Sequence, residues 1–168
     1  MIIDNIMTEE HSTTLDLILM TRNQATRIAA GTPGPEDLWA EGFPREDDTM
    51  PASMLAEASE DPGPFGSYVL VPRVHGRLIG TAGFFGPPDE AGEVTIGYGM
   101  VEPEWGRGYG TKAVAKLVAV CRAHGGVTVI NADTDLDNVG SQRVLEKNGF
   151  EHVRTTETQH FYVLRLAV

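Results

Sequence analysis

One segment limits the choice of folds more than any other: Val101-Glu-Pro-Glu-Trp-Gly-Arg-Gly-Tyr-Gly-Thr111. It separates two stretches of different period. EVTIGYGMV (93–101) is rich in β-branched and aromatic residues and reads as a strand. In GTKAVAKLVAVCRAHGG (110–126), Val114, Leu117, Val118 and Cys121 recur at helical spacing and Gly125-Gly126 supply a stop. VTVINA (127–132) follows as a short apolar strand. Strand, glycine-rich loop, helix and strand make residues 93–132 a β-α-β unit, whose two strands are expected to run parallel.

Around this unit the chain reads as further sheet with helices. TTLDLILMT (13–21) predicts a first strand and Arg22 to about Gly31 a short helix. GTPGPEDL (31–38) is turn chemistry leading into a second helical stretch, broken near Pro44 and again near Pro51. SYVLVP (67–72), GRLIGTAGFFG (76–86) and EVTIGYGMV predict consecutive antiparallel strands. Asn138 to Asn148 predicts a helix closed by Asn148-Gly149, and FEHVRTT (150–156) with HFYVLRLAV (160–168) a final hairpin. The expected class is α/β: a single mixed, mostly antiparallel sheet with one parallel pair and flanking helices. No linker or repeat divides the chain, so residues 1–168 are expected to form one domain, with 1–12 as a flexible tail.

The loop suggests its own ligand. Gly106, Gly108 and Gly110 let successive backbone N–H groups turn toward one point beside a helix N-terminus, which suits a phosphate or pyrophosphate. Two common phosphate loops do not fit. A Walker loop ends in Gly-Lys-Ser/Thr, whereas here the order is Gly110-Thr111-Lys112. A dinucleotide fingerprint needs G-x-G-x-x-G, and Gly106-x-Gly108 is followed by Thr111.

Charge narrows the partners. The formal net charge is −11, and an acidic surface disfavours nucleic acid as the main partner. No apolar run reaches the roughly 18 residues of a membrane span, and MIIDNIMTEEHS lacks the basic start and apolar core of a signal peptide. A cytoplasmic protein with neither nucleic-acid nor membrane partners is the expectation. The charge is also uneven: residues 1–104 carry −13, residues 105–154 carry +2 and the remainder is neutral. Between Glu36 and Asp61 nine carboxylates face a single Arg45, either as a solvated surface or as a wall that attracts a cation. The lone Cys121 lies on an apolar helical stripe and reads as core.

WGRGYGT after a GYGMVEP strand, followed by NVGSQRVLEKNGF, resembles the GNAT N-acetyltransferase superfamily, in particular the branch of ribosomal-protein N-terminal acetyltransferases. The likeness runs over about residues 67–156. Trp105, Gly108 and Gly110 take the three places of the family's Gln/Arg-x-x-Gly-x-Gly/Ala loop. The resemblance implies that the two parallel strands splay apart and admit the pantetheine arm of acetyl-CoA, the cosubstrate, beside the backbone of Met100 and Val101. The pyrophosphate would rest on the N–H groups of Gly106, Arg107, Gly108, Tyr109, Gly110 and Thr111, with Arg107 and Lys112 adding charge or remaining solvated. Asn138 would bond the pantetheine amide, cap its helix, or do both. No metal is implied.

The implied reaction is direct transfer of an acetyl group to an amine, with the carbonyl polarised by a strand N–H near Val101. Two proton carriers depart from the family pattern. Leu145 stands where many members have a tyrosine, which makes Ser141 the substitute acid. Thr95 stands where a glutamate base is common, which leaves Glu93, two residues upstream on the same strand face, or a held water. The acceptor implied is a small-molecule amine or the basic N-terminus of a peptide, met by the carboxylates of 36–61 with Trp39 and Phe43 among them. A homodimer is left open. Two other readings stand beside an enzyme: a sensor that binds CoA without turnover, and an interaction domain that binds none.

Overall fold

The computed structural model describes residues 13–167, so the expected tail at 1–12 lies outside the described residues. Seven strands form one sheet: β1 (Leu15–Leu19), β2 (Ser67–Pro72), β3 (Gly80–Phe84), β4 (Glu93–Met100), β5 (Val129–Asp135), β6 (Glu151–Thr155) and β7 (Gln159–Arg165). Their spatial order is β1-β2-β3-β4-β5-β7-β6, and every neighbouring pair is antiparallel except β4 with β5. The described helices are α1 (Arg22–Ala30), α2 (Glu46–Glu57), α3 (Tyr109–His124) and α4 (Val139–Lys147). The mixed sheet with one parallel pair is the architecture expected from the β-α-β unit.

The parallel pairing is short. Glu93, Val94 and Thr95 face Val129, Ile130 and Asn131, and there the pairing stops. Beyond it β4 continues to Met100 beside β3, while β5 continues to Asp135 beside β7. The two strands therefore diverge. Strand alternation then decides which backbone groups enter the gap. Phe85 N–H donates to Thr95 O and Val101 N–H to Ile79 O, so the odd-numbered residues of β4 bond toward β3. Ile96, Tyr98 and Met100 turn their backbone groups the other way, toward the gap.

Helix α3 fastens this arrangement. It buries Ala113, Val114, Leu117, Val118 and Cys121, the stripe legible in the sequence. Cys121 is core, and burial pushes its thiol up to about 11. The ammonium groups of Lys112 and Lys116 donate to the carbonyls of Thr13 and Leu15, clipping the start of β1 to α3. Helix α1 begins with a Thr21–Gln24 capping box and ends at Gly31, whose φ of 67° needs a residue without Cβ.

Three local expectations are corrected. The segment 38–44 is not helical: Trp39 bridges to Leu78, with Ala40 N–H bonded to Leu78 O and Leu78 N–H to Leu38 O. Pro51 does not break its helix. It sits in the second turn of α2, where the missing N–H deprives only the carbonyl of solvent-exposed Asp47, and the first turn is anchored from outside by Asp48. Strand β5 runs three residues past Ala132, because Asp133, Thr134 and Asp135 pair in register with Phe161, His160 and Gln159. Their polarity reads as loop in the sequence, yet a strand lining a cleft has no apolar partner to require alternation.

Candidate active site

A cavity of about 580 Å³ opens where β4 and β5 diverge. Its walls come from α2, from β3 and β4, from the end of β5 and from the start of α4. Ser141 and Asn138 line it from α4, and Tyr98 lines it from β4. The phenol oxygen of Tyr98 lies 2.5 Å from Ser141 Oγ, a contact in which either hydroxyl can donate, and it lies within donating distance of Ser141 O at 3.2 Å. Burial pushes the Tyr98 phenol up to about 12 against the lowering effect of the Ser141 hydrogen bond, so it holds its proton across the physiological range. The sequence has Tyr98 packing or lining the cleft, and it does line it; what the sequence does not show is its bond to Ser141. Its partner stands 43 residues away, and no local pattern reports such a contact.

Asn138 is the N-cap of α4: its Oδ1 accepts the N–H of Ser141 at 3.0 Å, leaving the amide Nδ2 as a donor. Leu145 is fully buried. Thr134 lines the same cavity, and its buried hydroxyl has no hydrogen-bond partner among the described residues. Such an orphan in a polar cleft marks a place shaped for a ligand atom.

At one end of the gap stands the glycine loop. Gly106 (φ 75°) and Gly108 (φ 83°) are left-handed, and a Cβ at either would point into open space. Gly108 is the N-cap of α3, a 16-residue helix, and having no side chain it makes no cap bond of its own. Loop and helix start fit a pyrophosphate. Gly110 has a different reason: its Cβ would meet Val144 Cγ2 at 3.2 Å, so its smallness lets α3 approach α4. Tyr109 is buried beneath the loop, and Thr111 O accepts from Asn148 Nδ2. Arg107 is exposed with Glu104 3.6 Å away, and Lys112 is drawn to the backbone of Thr13.

Met100 and Val101 divide. The N–H of Val101 is held by Ile79 and its carbonyl by Glu104 N–H, so neither enters the gap. Met100 turns its N–H to the gap, while its carbonyl accepts the indole N–H of Trp105 at 2.8 Å. Glu93 is exposed at the start of β4, 3.4 Å from the Asn131 amide, and does not line the cavity. The carboxylates that do are Asp47, Asp133 and Asp135. Three of the nine carboxylates of 36–61 are bound into structure: Asp37 pairs with Arg27 at 2.5 Å, Asp48 is buried against Arg45, and Asp61 accepts Gly63 N–H. Trp39 and Phe43 pack edge to face, with Phe43 in the core.

The comparisons agree with this geometry. A family profile described as an acetyltransferase (GNAT) domain matches residues 7–151. An uncharacterised N-acetyltransferase of Bacillus subtilis, YjdG, is 36% identical over 86 residues, which are 51% of this chain and 51% of that protein. The matched stretch thus spans about half the length of the curated relatives or less. The solved structure of Mycobacterium smegmatis RimJ in complex with CoA-disulfide superimposes with a TM-score of 0.66 at 18% identity, over 92% of this chain and 83% of that one. The ribosomal-protein-S5-alanine acetyltransferase of Vibrio fischeri gives 0.65 at 18% identity, over 90% and 92%. At that identity the likeness is one of fold.

Proposed function

Since the chain belongs to the GNAT acetyltransferase family, we propose that it transfers an acetyl group from acetyl-CoA directly to a primary amine, with Ser141 and Tyr98 as the proton-handling pair. One observation carries the reading. Where β4 and β5 part, a cavity holds the Tyr98–Ser141 hydrogen bond, and the glycine loop and the start of α3 follow directly on β4. Acetyl-CoA, when bound, supplies a thioester-activated acyl group. The loop from Gly106 to Thr111 would hold its phosphates, and Asn138 Nδ2 would donate to the amide-bearing arm.

The chain's own groups then have defined tasks. The gap-facing N–H groups of Tyr98 and Met100 are donors for a carbonyl oxygen, a role that Val101, bonded to Ile79, does not fill. With the Tyr98 phenol donating to Ser141 Oγ, the serine's own proton is free for the sulfur side of the bond being broken. In this reading Tyr98 on β4 makes up for the leucine at position 145 of α4. A non-catalytic CoA sensor is the alternative, favoured by Glu93 standing outside the cavity.

Two measurements test the reading. Acetyl-CoA at a hundred times its Kd stabilises a protein that binds it only when folded by about 2.7 kcal/mol, and the melting temperature should rise accordingly. Gly108→Val, which places a branched side chain at a left-handed φ on the helix start, should lose that rise. Thiol release with an amine panel then separates the enzyme from the sensor: binding without release under any acceptor defeats transfer, and no binding defeats both.

A further inference from the structure

The cavity's unequal walls bear on the acceptor, which neither the fold nor the relatives identify. This inference rests on the transfer reading above. Charged side chains lining the cavity are Arg45, Asp47, Asp133 and Asp135. Arg45 is already held by the buried carboxylate of Asp48, through Nε at 3.1 Å and Nη2 at 2.9 Å, so the balance facing a ligand is negative. A cation is the complementary guest. Asp133 and Asp135 share one face of β5 beyond its parallel pairing, next to the wall that carries Ser141 and Asn138. Gln159 Nε2 holds Asp133 Oδ1 at 2.9 Å, fixing the carboxylate with a neutral donor that leaves its charge uncompensated.

The opposite wall, beyond Asp47 at the start of α2, is apolar where solvent reaches it. Met50 and Met54, one turn apart on α2, are 66% and 58% exposed, and Phe85 is 61% exposed, yet all three line the cavity. The Phe85 ring lies across β4 at Gly97, where a Cβ would come within 3.0 Å of it. That glycine makes room for the ring. Exposed thioethers and a phenyl ring grouped at one mouth are a binding surface for apolar matter, and they offer a polyhydroxylated or polycationic guest nothing to bond.

We propose that the acceptor is a primary amine carried on an apolar or aromatic body, its ammonium received by Asp133 and Asp135 and its body by Met50, Met54 and Phe85. Asp133 then takes the first proton. Burial and its neighbour Asp135 both raise its affinity for one. In the overall step the nitrogen bonds to the acetyl carbon as the carbon–sulfur bond breaks. Of the two protons the ammonium loses, one passes through Asp133 to solvent and one ends on the thiol.

The test uses the full chain, acetyl-CoA and thiol release. Acceptors are 2-phenylethylamine, hexylamine, Phe-Gly-Gly amide, Gly-Gly-Gly amide, spermidine and kanamycin. The apolar amines or the phenylalanine peptide should exceed spermidine and kanamycin in kcat/KM by about tenfold or more, the worth of one buried apolar side chain. A better peptide than free amine identifies a polypeptide N-terminus as the source, and the reverse a small molecule. Met54→Gln with Phe85→Gln should raise the KM for 2-phenylethylamine about tenfold with little change in kcat. Asp133→Asn should lower kcat/KM by at least about 100-fold. Preference for the polycations or an unchanged KM in the double variant overturns the proposal alone, whereas silence of the whole panel with acetyl-CoA bound overturns it together with transfer and leaves the sensor. Failure of acetyl-CoA to bind at all instead overturns the transfer reading beneath it.

Discussion

A serine hydroxyl is a poor acid in water, and its usefulness as a donor depends on what stands behind it. Behind Ser141 stands a phenol that burial keeps protonated to about 12. Replacing Ser141 by alanine should therefore lower kcat by about 100-fold while leaving acetyl-CoA affinity unchanged, as expected of a positioned acid. Tyr98→Phe keeps the ring and removes the phenol's hydrogen bonds to Ser141, so a loss of about tenfold is expected. Because Tyr98 titrates only near 12, the alkaline limb of kcat against pH should hold its position below pH 10 in this variant. Stopped-flow thiol release over pH 6–10 checks both. Unchanged turnover in Ser141→Ala removes the serine from the mechanism. At this scale the sequence singles out Ser141 and Asn138 from a local pattern, and the structure puts both on the cavity wall. The Tyr98–Ser141 and Gln159–Asp133 hydrogen bonds are not legible there, because each joins elements far apart in the chain.

Elements are held by a few interactions whose cost of removal is large, and α2 is the clearest case. It brings Met50 and Met54 to the cavity, so its seating sets the mouth. Asp48 is fully buried and accepts from Arg45 N–H, Nε and Nη2, and from the Thr81 hydroxyl at 2.6 Å on β3. The guanidinium in turn lies against Gly99, where a Cβ would come within 2.5 Å of Nη1. Asp48→Ala strands a half-buried guanidinium and a buried hydroxyl. Such a rupture costs about 3–5 kcal/mol, whereas Thr81→Val, which removes one neutral partner, costs about 1 kcal/mol. Urea denaturation of both variants gives the comparison, and equal losses would show that the carboxylate is not the anchor. The sequence showed Asp48 only as one of nine acids and Pro51 as a break. Both misreadings share a cause: local composition cannot report that a helix is pinned from another element, and pinning overrides a weak propensity.

The whole molecule carries −11, and its two expected substrates carry opposite signs. Read along the chain, that charge suggested an acidic half for the amine and a basic half for the cofactor. In three dimensions the division is drawn differently. Three of the nine 36–61 carboxylates are bound into structure, and two of the three carboxylates that line the cavity, Asp133 and Asp135, come from the half that sums to +2. Few cations stand ready for a polyanion: Arg107 lies 3.6 Å from Glu104, and Lys112 is drawn to Thr13. The long-range field should therefore govern both encounters. Salt shortens its reach from about 30 Å at 0.01 M to about 8 Å at 0.15 M. Over that range kcat/KM for a cationic amine should fall about threefold, while kcat/KM for acetyl-CoA should hold or rise, because its repulsion from the acidic surface is screened as well. Initial rates with each substrate varied in turn measure the two slopes. Parallel declines would mean that local contacts of the loop with phosphate outweigh the net charge, and that the cofactor end is more basic in effect than its side chains suggest.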